Sequence, residues 1–186
     1  CELILNMGED SLCDICALHP RFFGWYNGLK EAGLGLCCEE VCRLLLEGKE
    51  HLDFTVSGKD EGEEDPLILL REEIFSILRE DGMSLTGRME KALRLFEASP
   101  LPFEADELKA LYLGLERLDE DWTKKLHTLQ AVALEPALSK MRYVRLLEYF
   151  IYRHFACAPD EYEAMLRLQF AFLSTRIICA LDILTD

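Results

Sequence analysis

From Pro66 onward, apolar residues recur every three to four positions, the spacing that lines them along one stripe of a helix. Leu67, Leu70, Ile74, Ile77 and Leu78 mark a first helix. Leu85, Met89, Ala92, Leu93 and Phe96 mark a second, capped by Ser84 and stopped before Pro100. Leu108, Leu111, Tyr112 and Leu115 predict a third, and Trp122, Leu126 and Leu129 a fourth. A fifth has Pro136 in its first turn and carries Met141, Val144, Leu147 and Ile151. Asp160 caps a sixth, with Tyr162, Met165, Leu166, Leu173 and Ile177. Short loops between such helices imply antiparallel neighbours in a bundle.

The pattern before Pro66 is different. Ser11 is placed to cap a short helix through Ala17, which Pro20 ends. Phe22–Tyr26 and Leu29–Leu36 flank Asn27-Gly28, a pair that favours a type I′ turn between antiparallel strands. Cys37–Leu46 reads as a helix with Glu39 and Glu40 in its first turn, where the macrodipole favours acids, and Gly48 ends it. Leu52, Phe54 and Val56 alternate as in a short strand, and the acidic run Ser57–Asp65 reads as a flexible linker. The expected fold is mainly α: a helical bundle over 66–186, an N-terminal cysteine-rich module over 1–48 with a short β-hairpin, and a strand and acidic linker over 49–65 between them.

Half of the 186 residues are hydrophobic, enough for a substantial core. With 35 acidic against 20 basic residues the net charge is −15, which excludes the basic face that nucleic-acid binding needs. Leu168–Leu184 is interrupted by Arg176 and Asp182 and reads as too short and too charged to span a membrane. No signal peptide is visible, so the expected location is cytoplasmic. Cys1 in place of Met reads as a fragment or processed chain. An acylated bacterial lipoprotein is the alternative, against which Glu2–Leu5 reads as folded structure rather than a polar tether.

Six of the eight cysteines fall in the first 48 residues, spaced Cys1-x11-Cys13-x2-Cys16-x20-Cys37-Cys38-x3-Cys42. Thiolates bind soft and borderline metals, and Cys13 and Cys16 lie one helical turn apart on a shared face. Cys37 and Cys38 open a helix, where the free N–H groups stabilise a thiolate. The hairpin would bring the two groups together. Four cysteines suit a zinc site and a [4Fe–4S] cluster equally, and His19 would allow a mixed ligand set, with a hydrogen-bonding residue before Pro20 as its favoured reading. Cys42 fits a ligand or a core residue. Disulfides could use the same residues in an oxidising compartment. Cys157 and Cys179 sit on apolar helix faces and read as packing residues.

The order Cys1…Leu12-Cys13-Asp14-Ile15-Cys16…Pro20-Arg21…Cys38-Glu39…Leu44-Leu45-Leu46 resembles the flagellin lysine-N-methylase family, which overlaps with cysteine-rich proteins described as zinc- or iron-chelating. The resemblance covers roughly residues 1–47 (a match of spacing). It implies Cys1, Cys13, Cys16 and Cys38 as metal or cluster ligands, with Cys37, Cys42 and His19 ranked below them. It also implies methyl transfer to a lysine ε-amine of a flagellin-like protein, with S-adenosylmethionine as donor.

Other residues are weighed on their own chemistry. Arg21, beside Pro20, could bind an anionic group, with a structural salt bridge as the alternative. Tyr143, Tyr149, Tyr152 and His154 lie along one helix and Asp160, Glu161 and Glu163 start the next; ordinary helix surface and core edge is the favoured reading. Arg176 calls for Glu148 or Asp182 as a partner if buried, or for a surface position if it snorkels. Phe22, Phe23, Trp25 and Tyr26 are expected to cover the metal centre. Two further readings stand beside the enzyme: a metal protein whose ion only stabilises the fold, and a helical interaction protein without metal.

Overall fold

The computed structural model describes residues 2–55, 57, 65–117 and 119–185. Among them lie ten α-helices and one two-stranded antiparallel sheet, so the chain is mainly α as expected. The N-terminal elements are α1 (Glu2–Met7), α2 (Asp14–Leu18), β1 (Arg21–Tyr26), β2 (Leu29–Leu34) and α3 (Glu39–Glu47). The helical part comprises α4 (Pro66–Leu78), α5 (Leu85–Leu93), α6 (Ala105–Gly114), α7 (Glu120–Thr128), α8 (Glu135–Leu138), α9 (Met141–His154) and α10 (Glu161–Thr185).

The caps explain where the helices begin. Asp65 accepts a hydrogen bond from the Leu67 N–H and Pro66 follows it, a combination that starts α4. Ser84 accepts from the Gly87 N–H, and Asp160 accepts from the Glu163 N–H. The fifth predicted helix is two. Lys140 has an extended backbone, and it separates α8, with Pro136, from α9.

The main core joins α4, α5, α9 and α10 through Ile74, Phe75, Met89, Leu93, Val144, Leu147, Leu168 and Phe172. A second cluster sets Leu108 and Leu129 against Leu173, Ile177 and Leu181 of α10. At 25 residues α10 is long and apolar enough, by length and composition, to cross a membrane, and half of its most apolar stretch is buried against the other helices.

α9 is a wall with two sides. Val144, Leu147 and Ile151 face the main core, while Leu146 and Tyr149 pack with Leu45 of α3. Arg145 fastens the same contact: its Nε donates to the Leu45 carbonyl (2.6 Å) and its Nη1 to the Glu50 carbonyl (2.5 Å). The Leu45 carbonyl lies in the last turn of α3, where the helix itself supplies no donor. Gly48 follows α3 with a negative φ, so its role is not a left-handed cap. A Cβ there would run into the Arg145 guanidinium, and glycine is what lets the two approach.

Leu52 and Phe54 do not form a strand; Val56 and residues 58–64 of the expected linker lie outside the described residues. The backbone at 52 bonds to side chains instead of a ladder. The Leu52 N–H donates to Glu148 (2.8 Å) and its carbonyl accepts from Arg79 (2.7 Å). Phe54 stacks between Phe75 and Tyr152, with ring centroids 5.2 and 4.7 Å away. Glu148 is fully buried and also accepts from His51 Nδ1 at 2.6 Å, with Arg79 Nε 3.5 Å away.

Candidate metal centre

The hairpin forms as read, in the register Tyr26↔Leu29 to Arg21↔Leu34. Asn27 and Gly28 both have positive φ, the condition of the type I′ turn that the Asn-Gly pair favours. Pro20 is joined to His19 by a cis peptide bond, and the Pro20 carbonyl accepts from the Gly35 N–H. This bond ties the start of β1 to the chain just after β2. It holds the Cys13–Cys16 helix and the loop of Cys37 and Cys38 on the same end of the hairpin.

The first helix differs from its predicted form. Ser11 does not cap it; Ser11 lies in a preceding 3-10 turn and donates to the Gly8 carbonyl. Cys13 takes the position before α2. The Cys16 backbone N–H and then the Cys16 thiol lower the Cys13 thiol below its usual range, while the Cys13 hydrogen bond and charge push Cys16 up. The two sulfurs are therefore neighbours, as their spacing predicted. Arg21 Nη1 donates to the Ala17 carbonyl at 2.8 Å, so it closes the end of α2; no ion pair of Arg21 is present among the described residues.

Cys37 lies 4.0 Å from His19 Nδ1. His19 follows α2, with its N–H donating to the Ile15 carbonyl, so it stands one turn beyond Cys16. Cys13 with Cys16 and His19 with Cys37 thus form two separate pairs. Cys38 stands immediately before α3, half-buried, so only Cys38 and not Cys37 borders that helix. Cys42 donates its thiol proton to the Leu36 carbonyl at 3.1 Å, a contact that suits a packing role. Cys1 lies outside the described residues. Among the described residues no three His, Cys, Asp or Glu side chains converge tightly enough to hold one ion.

Several expectations for neighbouring residues are corrected. Phe22 turns toward α9, edge-on to Tyr149 at 6.4 Å, and Trp25 is exposed with the Lys30 ammonium 5.6 Å from its ring, so these aromatics do not form a cover over the cysteines. Cys179 is buried in the main core as read, and burial raises its thiol. Cys157 is exposed instead of packed: it donates to the Arg153 carbonyl and takes the Tyr26 hydroxyl at 3.1 Å. Arg176 finds neither Glu148 nor Asp182. It donates to the Leu101 carbonyl and lies over the Phe103 and Phe172 rings, half-buried, with burial lowering its pKa. Asp182 accepts from the buried Tyr143 hydroxyl (2.9 Å), and burial followed by that contact raises the tyrosine.

Sequence reasoning missed the Glu31–Arg71 pair. Arg71 is buried in α4, donates through both terminal nitrogens to Glu31 of β2, and also reaches the Tyr152 carbonyl. Its Nε is the one buried side-chain donor without a partner among the described residues, and its guanidinium lies over the Tyr152 ring. An arginine inside the apolar stripe of α4 was the available signal. No family model, no curated protein and no solved structure matches the chain.

Proposed function

We propose that residues 2–48 form a metal-stapled module, with Cys13, Cys16, His19 and Cys37 as the ligands of one ion. The observation that carries this is the near absence of a core. Leu45 is the one buried hydrophobic side chain among the described residues of the module, while Leu5, Met7, Ile15 and Leu18 are exposed. The hairpin and α3 lean on α4 and α9 through Glu31–Arg71, Phe22 and Leu45, but α1, α2 and the loop of Cys37 and Cys38 contribute no buried hydrophobic side chain among the described residues, and a small segment without a core is held by a metal or by disulfides when it is held at all. The described cysteines are free thiols, and four candidate donors already stand in two pairs, Cys13 with Cys16 and His19 with Cys37.

Three thiolates and an imidazole are a ligand set that suits zinc. A [4Fe–4S] cluster would take a fourth cysteine, for which Cys38 is the nearest in sequence. Binding one ion requires the Cys13–Cys16 and His19–Cys37 pairs to close on each other. The ion would supply stability in place of the missing core, because a site absent from the unfolded chain makes binding energy into folding energy.

The test is metal analysis with a visible spectrum on protein purified without oxygen, for wild type, Cys16→Ser and His19→Ala. Stoichiometric colourless zinc lost in both variants supports the Cys₃His site. Iron with a broad band near ~400 nm, lost in Cys16→Ser alone, replaces zinc by a cluster on cysteines. Absence of both metals overturns the reading. The lysine N-methylation that the resemblance implies, on a set of Cys1, Cys13, Cys16 and Cys38 that shares Cys13 and Cys16 with these ligands, accompanies this proposal for the whole chain. Transfer of labelled methyl groups from S-adenosylmethionine to flagellin lysines tests it separately, and a negative result leaves the metal reading standing.

A further inference from the structure

On the face of the hairpin turned to α9, a cleft of about 290 Å³ opens between β1 and the end of α9. Phe22, Tyr26 and Tyr152 supply its aromatic lining, and Glu31, Arg153, His154 and Cys157 also border it. It holds none of the four proposed metal ligands, although its β1 wall belongs to the module that the proposed metal would hold.

The charges at the cleft are unequal. Glu31 is matched by buried Arg71, and Glu163 by Arg167 Nε at 3.3 Å. Arg153 has no carboxylate partner among the described residues. Its one side-chain hydrogen bond there runs from Nη1 to the Tyr149 hydroxyl (2.8 Å), which leaves four of the five guanidinium N–H donors free. His154 sits beside Arg153 and Arg167, and burial first, then those two cations, lower its pKa, so the local field is positive. This occurs in a chain of net charge −15, where an unmatched cation on an aromatic surface stands out.

Two ligand classes fit aromatic walls. A quaternary or primary ammonium would sit against the π faces. Here that position is compromised: the Arg153 guanidinium already lies over the Phe22 ring at 4.8 Å, and the one acid in the lining is neutralised by Arg71. The acid group of an aromatic carboxylate meets no such conflict, since it seeks the guanidinium itself. The carboxylate can take the planar fork of Arg153 in a bidentate pair, and the ring can lie against the edges of the Phe22, Tyr26 and Tyr152 rings that border the cleft. The volume is at the lower end of the ~300–1,000 Å³ usual for ligand sites, which suits a one- or two-ring acid better than a dinucleotide.

We propose that this cleft binds a small aromatic carboxylate, with Arg153 holding the acid group and the Phe22, Tyr26 and Tyr152 rings holding its ring. The experiment titrates the full chain, as purified, with naphthoate, with neutral naphthalenemethanol and with naphthylmethylammonium, and reads binding by calorimetry. Naphthoate binds at least tenfold more tightly than the other two, and Arg153→Ala weakens it about ten- to hundred-fold, the size expected for a hydrogen-bonded charge pair. Arg153→Lys, which keeps the charge and loses the fork, falls between. In unmodified protein, naphthoate slows iodoacetamide labelling of Cys157, which lies in the cleft, and leaves labelling of Cys13 unchanged. Equal binding of the three probes, binding indifferent to Arg153→Ala, an unshielded Cys157, or no naphthoate binding at millimolar concentration would each overturn the proposal.

Discussion

Glu148 is the joint between the cysteine module and the helical part, and its removal has a calculable consequence. The carboxylate is fully buried in α9 and receives the His51 ring, the Leu52 N–H and the more distant Arg79 guanidinium. Glu148→Ala strands the Leu52 N–H and removes the anchor of residues 51–54. Breaking a buried charge pair from one side costs ~3–5 kcal/mol, a large share of the ~5–15 kcal/mol that stabilises a typical domain. Because His51 and Arg79 are partly exposed and can turn to water, the lower end, about 3 kcal/mol, is expected. Glu148→Gln keeps an acceptor for the Leu52 N–H and loses only the charge, so about half of that loss is expected. Urea denaturation followed by far-UV circular dichroism measures both, and hydrogen exchange at Leu52 reads the local effect. A loss below about 1 kcal/mol for Glu148→Ala, with Leu52 still protected, would refute the clamp.

Other perturbations test other links. Ser84→Ala removes the acceptor for the Gly87 N–H and should cost about 1 kcal/mol in the same denaturation assay. Phe172→Ala empties a fully buried site between α9 and α10 and should cost ~3–5 kcal/mol. Gly28→Ala forces a side chain onto a positive φ and should cost ~1–2 kcal/mol, read as lost exchange protection in β1 and β2. In metal-free protein, the thiolate of Cys13 forms at lower pH than that of an ordinary cysteine and the thiolate of Cys16 at higher pH. Iodoacetamide should therefore label Cys13 first as pH rises toward the usual thiol range, and peptide mapping of partly alkylated protein checks the order.

The helical architecture was legible because each device that sets it is local. Asp65-Pro66, Ser84 and Asp160 mark helix starts through their own side chains, and Asn27-Gly28 sets the hairpin through its own backbone. The misses arise where a distant partner decides. Leu52 and Phe54 alternate as in a strand, yet Glu148 and Arg79 take the backbone bonds that a ladder would have used. Gly48 serves the approach of Arg145, nearly a hundred positions away in the chain, which no local pattern announces. At the cysteines, spacing alone placed Cys13 beside Cys16. The pairing of Cys37 with His19 depends on the Pro20–Gly35 bond, and the turn of Cys42 toward Leu36 depends on the path of the chain into α3. Spacing therefore marked the module as thiol-rich without choosing its ligands.

The central claim is that a metal, and not a core, holds α1, α2 and the cysteine loop in place. Hydrogen exchange of the purified protein before and after a zinc- and iron-chelating agent measures this directly. Chelation is expected to remove protection from residues 2–19 and 35–38 while β1, β2, α4, α5, α9 and α10 keep theirs. Protection in 2–19 and 35–38 that survives complete removal of metal would contradict the claim.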